Sequence, residues 1–205
     1  MWGDINKQRI DKWATKTNKH KAIIGGNMWL AYNKKISIGE TIEKIDNDKL
    51  TILVSLQGDS FIPEFFIEFI EKFGSNYNWY FRDHPRIPIS NKIKSIFEKY
   101  AFENFETTAK YNLYSLLKVV DVNITGFSTV AFEAQSFDKL TIFTHENAKN
   151  GFNNLLNKDG FIYVDTKLAL NETLDKIRFN KLKIKNYYII SDSSIIYKTM
   201  KEIIN

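Results

Sequence analysis

Short apolar runs alternate with helical patterns along most of this chain, and polar or glycine-rich punctuation separates them. Residues 50–56, L-T-I-L-V-S-L, form the clearest run, long enough for a buried strand and too short for a helix. Runs at 21–24, 78–81, 119–124, 140–143 and 161–164 predict further strands. Helical spacing recurs over 6–17, 61–73, 91–100, 113–118, 128–134, 147–156, 167–179 and 193–203. Pro63 falls in the first turn of the second of these helices, where its missing N–H costs nothing, and Gly74 ends it. Phe61, Phe65, Phe66, Phe69 and Phe73 share that helical spacing and read as core. Residues 105–108 read as one more short strand, and 33–49 as a polar loop. Strands and helices thus alternate roughly six times, the pattern of a parallel sheet covered on both faces. The expected fold is α/β and Rossmann-like: a three-layer α/β/α domain spanning residues 1–205, with a mainly parallel sheet of about six strands.

Such sheets bind ligands beyond the carboxyl ends of their strands, so the loops there carry the functional expectation. Five have polar or glycine-rich sequences: Gly25-Gly26-Asn27, Gln57-Gly58-Asp59-Ser60, Arg82 to Arg86, Gly126 to Thr129, and His145-Glu146. The stretch 119–144, V-V-D-V-N-I-T-G-F-S-T-V-A-F-E-A-Q-S-F-D-K-L-T-I-F-T, organises the rest as strand, tight turn, helix and strand. Ser128 and Thr129 stand at its helix start, where N-cap residues are favoured. Free backbone N–H groups and the helix dipole suit a phosphate at such a start. Glu133, one turn on, is within reach of a sugar hydroxyl beside that phosphate. Arg82-Asp83-His84-Pro85-Arg86 adds two guanidinium groups suited to phosphate and an imidazole whose backbone Pro85 holds extended. A capped helix with a solvated Glu133, an ordinary charged loop and a structural His145 are the plainer readings of the same residues.

Composition narrows the classes without choosing among them. The net charge of +5 is spread along the chain, with no like-charge block of the kind that forms a nucleic-acid arm. No cysteine is present, which removes disulfides, thiolate zinc sites and cysteine nucleophiles. His20, His84 and His145 are too scattered to suggest a metal site, and no apolar run reaches transmembrane length. Nothing matches a Walker A loop or G-x-G-x-x-G, and Gly126-Phe127-Ser128-Thr129-Val130 lacks the second glycine of a nucleophile elbow.

The pairing of R-D-H-P-R after one strand with D-V-N-I-T-G-F-S-T-V-A-F-E-A after a later one resembles the carboxyl-terminal, donor-binding half of GT-B glycosyltransferases. The likeness is to bacterial enzymes of capsule, lipooligosaccharide and teichoic-acid assembly, including sialyl- and Kdo-transferase-like proteins and glycerophosphotransferases that use cytidine nucleotides. It extends over residues 19–164. By that resemblance His84 and Pro85 match the motif that holds the donor nucleotide, Ser128 and Thr129 match the phosphate-binding pair, and Glu133 matches the acid that meets the ribose. Arg82 and Gly126 belong to the same expected site, with Gly25, Asn27, Gln57, Gly58 and His145 as further rim residues.

The resemblance implies a nucleotide-activated sugar as substrate, with neither a cofactor nor a metal. It implies an acceptor glycan or lipid-linked glycan and a location in the cytoplasm or at the inner face of the cytoplasmic membrane. A full GT-B enzyme also has a preceding domain that binds the acceptor, and 205 residues have room for one such domain only. A shortened gene, a separate subunit or a piece of a longer protein are the readings of that departure, and the chain alone is expected to be inactive. Retaining enzymes of this type carry an E-x-x-x-x-x-x-x-E motif whose second acid would fall eight residues beyond Glu133, where this sequence has Thr141, so inverting or phosphotransfer chemistry is favoured. A non-catalytic nucleotide-binding remnant and a sugar-nucleotide epimerase-like domain are the alternatives, because fold alone does not choose among them.

Overall fold

The computed structural model describes residues 48–158 and 160–179, together with 7–8, 10–12, 26–35, 42 and 201. The chain divides into two compact units, Met1–Ser37 with Asn186–Asn205, and Ile38–Lys185. In the first unit, helix α1 (Met28–Lys35) is capped by Asn27, whose Oδ1 accepts the Leu30 N–H at 3.0 Å. The first residues of the polar loop expected over 33–49 are helical instead, since the helix continues to Lys35 and the Asn33 amide donates back to the Trp29 carbonyl at 2.7 Å. Residues 7–8 and 10–12 are helical, as their spacing predicts.

The second unit is built on five parallel strands: β1 (Thr51–Ser55), β2 (Asn78–Arg82), β3 (Val122–Thr125), β4 (Leu140–Phe143) and β5 (Phe161–Tyr163), in the order β2-β1-β3-β4-β5. The sixth expected strand, 21–24, and the expected helix at 193–203 lie outside the described residues, apart from helical Lys201. Helices α2 (Glu64–Phe73), α3 (Asn91–Glu98) and α8 (Lys167–Phe179) cover one face. Ile52, Val54, Trp79, Phe81, Val122 and Ile124 point into it and meet Phe66, Phe69 and Phe97. The other face carries α5 (Leu113–Val119) and α6 (Val130–Ser136), with Leu53 and Tyr80 packed against Leu116, Leu117 and Ala134. Alternate strand residues thus serve opposite layers, as a period of two requires.

The remaining helices are α4 (Phe105–Lys110) and α7 (Asn147–Gly151). The α4 segment is not the strand that its short run suggests. Asn104 precedes it and its Oδ1 accepts the Thr107 N–H at 2.8 Å, so an N-cap outweighs the β-branched Thr107 and Thr108. Strand β3 also starts later than its apolar run, because Val119 ends α5 and Asp121 is used at the sheet's amino end. The Asp121 N–H donates to the Thr51 carbonyl at 2.8 Å, and its carboxylate accepts the Thr51 N–H at 2.9 Å. Helix α2 starts at Glu64 behind Pro63, so Phe61 falls in a separate 3-10 turn, Asp59–Phe61. Of the five phenylalanines expected in the core, Phe66 and Phe69 are fully inside, Phe65 and Phe73 pack at the margin, and Phe61 sits at the carboxyl rim. Gly74 is the C-cap of α2, and a β-carbon there would come within 2.5 Å of the Tyr100 ring, which packs against it.

Candidate functional site

From β1 the chain crosses to β2 on one side, and after β2 it returns across β1 to place β3 on the other. The strand order therefore reverses between β1 and β3, where open α/β sheets have their ligand crevice. A crevice lies there, lined by Ser55, Gln57, Phe61, Thr125, Gly126 and Thr144 over an apolar floor. It is small, with room for about one water molecule, and Phe61 forms part of its wall. The Phe61 ring lies 5.0 Å from that of Phe127 and 5.3 Å, edge-on, from that of His145. Gly126 lets this happen: a β-carbon there would sit 2.8 Å from the Phe61 carbonyl oxygen.

The loop between β3 and α6 is held by its own side chains. The Thr125 hydroxyl donates to the Ser55 carbonyl at 2.7 Å and accepts the Ser128 N–H at 3.4 Å. Gln57 reaches across from β1, and its Oε1 accepts the Phe127 N–H at 3.2 Å. Ser128 Oγ accepts the Val130 N–H at 3.3 Å and keeps its own hydrogen to donate. Three of the N–H groups expected to point freely at a phosphate are thus already paired. Thr129 is exposed, and neither its backbone N–H nor its hydroxyl has a partner among the described residues.

On the other side of β1, the β2 loop is bound to its surroundings. Asp59 accepts the Ser90 N–H at 2.7 Å, Asp83 accepts the Ile89 N–H at 3.1 Å, and Gly58, at φ +85°, would clash with Ile87 if it bore a β-carbon. Arg82, expected to clamp a phosphate, has protein partners of its own. Its Nη1 donates to the Thr108 carbonyl at 3.2 Å and the Tyr111 carbonyl at 2.6 Å, tying the strand end to the α4–α5 junction. Burial there pushes the guanidinium pKa down from its ordinary value. Pro85 and Arg86 are exposed.

His84 and His145 share one device. The Nδ1 of His84 accepts the Arg86 N–H at 3.1 Å, and the Nδ1 of His145 accepts the Asn147 N–H at 3.2 Å. A neutral imidazole held this way carries its hydrogen on Nε2, so each ring presents a donor. Because all strands run parallel, His84 and Ser128 share the carboxyl edge, separated by β1 alone and so by roughly 10 Å.

Glu133 lies within α6, one turn from Thr129, and its Oε2 is buried with no hydrogen-bond partner among the described residues. Burial pushes its carboxyl pKa up, partly offset by a backbone hydrogen bond. Behind the rim, Ser55 Oγ donates to Asn123 Oδ1 at 2.9 Å and Asn123 Nδ2 donates to Thr141 Oγ1 at 3.3 Å, linking three strands inside the sheet. Of the other expected rim residues, Gly25 lies outside the described residues, and Asn27 is occupied as the cap of α1. Sequence reasoning missed Thr125 and Phe61. Their signals were a threonine at the last position of a strand and an aromatic residue just ahead of the helix-starting Pro63. Among the described residues, no group of acids and histidines is arranged to hold a metal, and no helix is long and apolar enough to cross a membrane.

No protein-family model matches the sequence, and no curated protein does. Solved structures do match in shape. A Listeria monocytogenes protein named as a UDP-N-acetylglucosamine 2-epimerase superposes with a TM-score of 0.68 at 12% identity, over 99% of this chain and 58% of that one. The wall teichoic acid polymerase TagF, in a histidine-to-asparagine variant, gives 0.58 at 15% identity, over 100% and 58%. The UDP-GlcNAc 2-epimerase of Neisseria meningitidis, bound to UDP-GlcNAc, gives 0.56 at 16% identity, over 98% and 59%. The chain therefore has a GT-B-like, Rossmann-type fold and spans less than two thirds of the length of these structures.

Proposed function

We propose that this chain binds the nucleotide-activated donor of a glycosyltransferase that builds a bacterial surface polysaccharide. The observation that carries the reading is the hydrogen-bond arithmetic of the rim. Gln57 Oε1, Thr125 Oγ1, Ser128 Oγ and both histidine Nδ1 atoms each accept a backbone N–H, while Thr129 N–H and the Ser128 and Thr129 hydroxyls remain to donate. A switch-point crevice edged by uncommitted donors suits the phosphates of a nucleotide. Ser128, Thr129 and the His84 Nε2–H hold the diphosphate or monophosphate, and the unpartnered Glu133 oxygen accepts from a ribose hydroxyl beside it. As the donor's bond breaks, charge builds on the departing phosphate, and donors already aimed at it stabilise that charge without rearranging. The transferred group is a sugar or a glycerophosphate-like unit on a cytidine or uridine nucleotide, and the chemistry is inverting or phosphotransfer. The acceptor glycan or lipid-linked glycan is held by another domain or subunit, at the inner face of the cytoplasmic membrane.

The test is calorimetric titration of cytidine and uridine mono- and diphosphates. Replacing Ser128 by Ala together with Thr129 by Val should weaken binding at least about tenfold, since each charge-assisted contact contributes about 1.5–3 kcal/mol. Unchanged affinity in that double variant would end the reading. A second reading, a sugar-nucleotide epimerase-like domain, is favoured by the likeness to two UDP-GlcNAc 2-epimerases. Product analysis with UDP-GlcNAc separates the two: an isomerised nucleotide sugar supports the epimerase, and a glycan or glycerol-phosphate product supports the transferase.

A further inference from the structure

Gln57 stands at the reversal of strand order and joins the two loops that flank the crevice. Its Oε1 faces the Phe127 N–H, and this decides which way the amide points, because the flipped amide would set two donors against each other. Its Nε2 is then the free end. That nitrogen has no partner among the described residues and is not among the buried atoms that lack one, so it opens to solvent at the crevice mouth. The Thr125 hydroxyl faces the same end of the amide as Phe127: it donates to the Ser55 carbonyl at 2.7 Å and lies 3.5 Å from Gln57 Oε1, which leaves Nε2 turned away from both.

We infer that Gln57 is a specificity-determining residue: its Nε2 donates to an anionic phosphate oxygen of the ligand, while its Oε1 keeps the β3 loop in the binding position. This rests on the nucleotide-donor reading and adds to it the part of the ligand that is recognised here, the phosphate rather than the base or sugar. Glutamate at this position separates the two roles. In Gln57→Glu one carboxylate oxygen still accepts the Phe127 N–H, so the loop stays tied. The other oxygen puts an acceptor and a negative charge where the donor stood.

The experiment titrates CDP, UDP, inorganic pyrophosphate, cytidine and uridine into the full chain, as wild type and as Gln57→Glu, with thermal melting of both. The expected result is a melting temperature within a few degrees of wild type and a loss of at least about thirtyfold for CDP, UDP and pyrophosphate. Any nucleoside binding should be unchanged. Equal affinity of the two proteins for CDP or UDP overturns the inference and leaves the donor reading standing. Wild type that takes pyrophosphate but neither nucleotide overturns the donor reading, and loss of pyrophosphate in Gln57→Glu then still supports the inference. Wild type that binds none of the anions overturns both. Should Gln57→Glu melt far below wild type, Gln57→Met decides. It lacks both polar ends, and if it melts like wild type yet binds CDP or UDP equally, the donor role is overturned. Weaker anion binding in that variant, with the backbone amide resonances of Phe127 and Ser128 unmoved in the free protein so that the loop is still in place, supports it.

Discussion

The two loops that flank the end of β1 commit their polar groups in opposite ways. The loop after β2 has the charge: two arginines, an aspartate and a histidine within five residues. Yet Arg82 is turned to two backbone carbonyls and Asp83 to a backbone N–H, so most of that charge holds the loop in place. The loop after β3 has no charged residue from Thr125 to Thr129, but Gln57 ties it at Phe127 and it ends in a threonine with an unpartnered N–H and hydroxyl. A binding edge is thus better identified by donors left over after the loops have satisfied themselves than by formal charge. Buried backbone carbonyls left without partners are costly, and Arg82 meets that need first.

Breaking the charged loop should therefore show up mainly as lost stability. Arg82→Ala takes the guanidinium away from the Thr108 and Tyr111 carbonyls and should cost about 2–4 kcal/mol in urea unfolding. The folded fraction should keep its nucleotide affinity within roughly threefold. A stable Arg82→Ala protein with abolished binding would reverse the comparison. Next in size, Gly126→Ala forces a β-carbon against the Phe61 carbonyl, which lies 2.8 Å away, and should cost about 1–3 kcal/mol. Because Phe61 must move, the same variant should alter crevice occupancy, read as a change in nucleotide affinity.

His84→Ala sharpens the contrast, since His84 is the member of the charged loop whose Nε2 is left to donate. It should weaken nucleotide binding about tenfold, about 1.4 kcal/mol, with little change in melting temperature. An unchanged affinity would assign the whole β2 loop to structure. The smallest effect belongs to Glu133→Gln. Burial raises the Glu133 carboxyl above its ordinary value of 4.5, so the folded protein holds a proton that the unfolded chain has released. Stability is then greatest at low pH and falls as pH climbs from about 4.5 through the raised value. The glutamine variant should lack that decline in melting curves taken from about pH 4 to 7. It should also bind ribonucleotides somewhat more weakly while leaving deoxyribonucleotides alone.

Much of the fold was legible because the apolar run at 50–56 is the right length for a buried strand and too short for a helix, while 167–179 repeats its apolar residues at helical spacing. The miss at α4 came from a six-residue element whose capping residue, Asn104, outweighed its strand-like run. The site was legible as a set of loops but not as an arrangement. Strand order brings Gln57 to Phe127, a partner 70 residues away, and no local pattern encodes that pairing. The backbone partners of Arg82 were hidden for the same reason: they lie 26 and 29 residues on, the first of them in a segment that itself read as a strand.

The most direct test of the crevice as the phosphate site is an amide proton–nitrogen NMR titration of the chain with CDP and UDP, following backbone and side-chain resonances together. The Thr129 backbone amide and the Gln57 side-chain amide should shift most, with the Phe127 amide following and the Arg82 guanidinium and Thr108 amide nearly still. Shifts centred on Arg82 to Arg86, with Thr129 and Gln57 unmoved at saturation, would contradict the account.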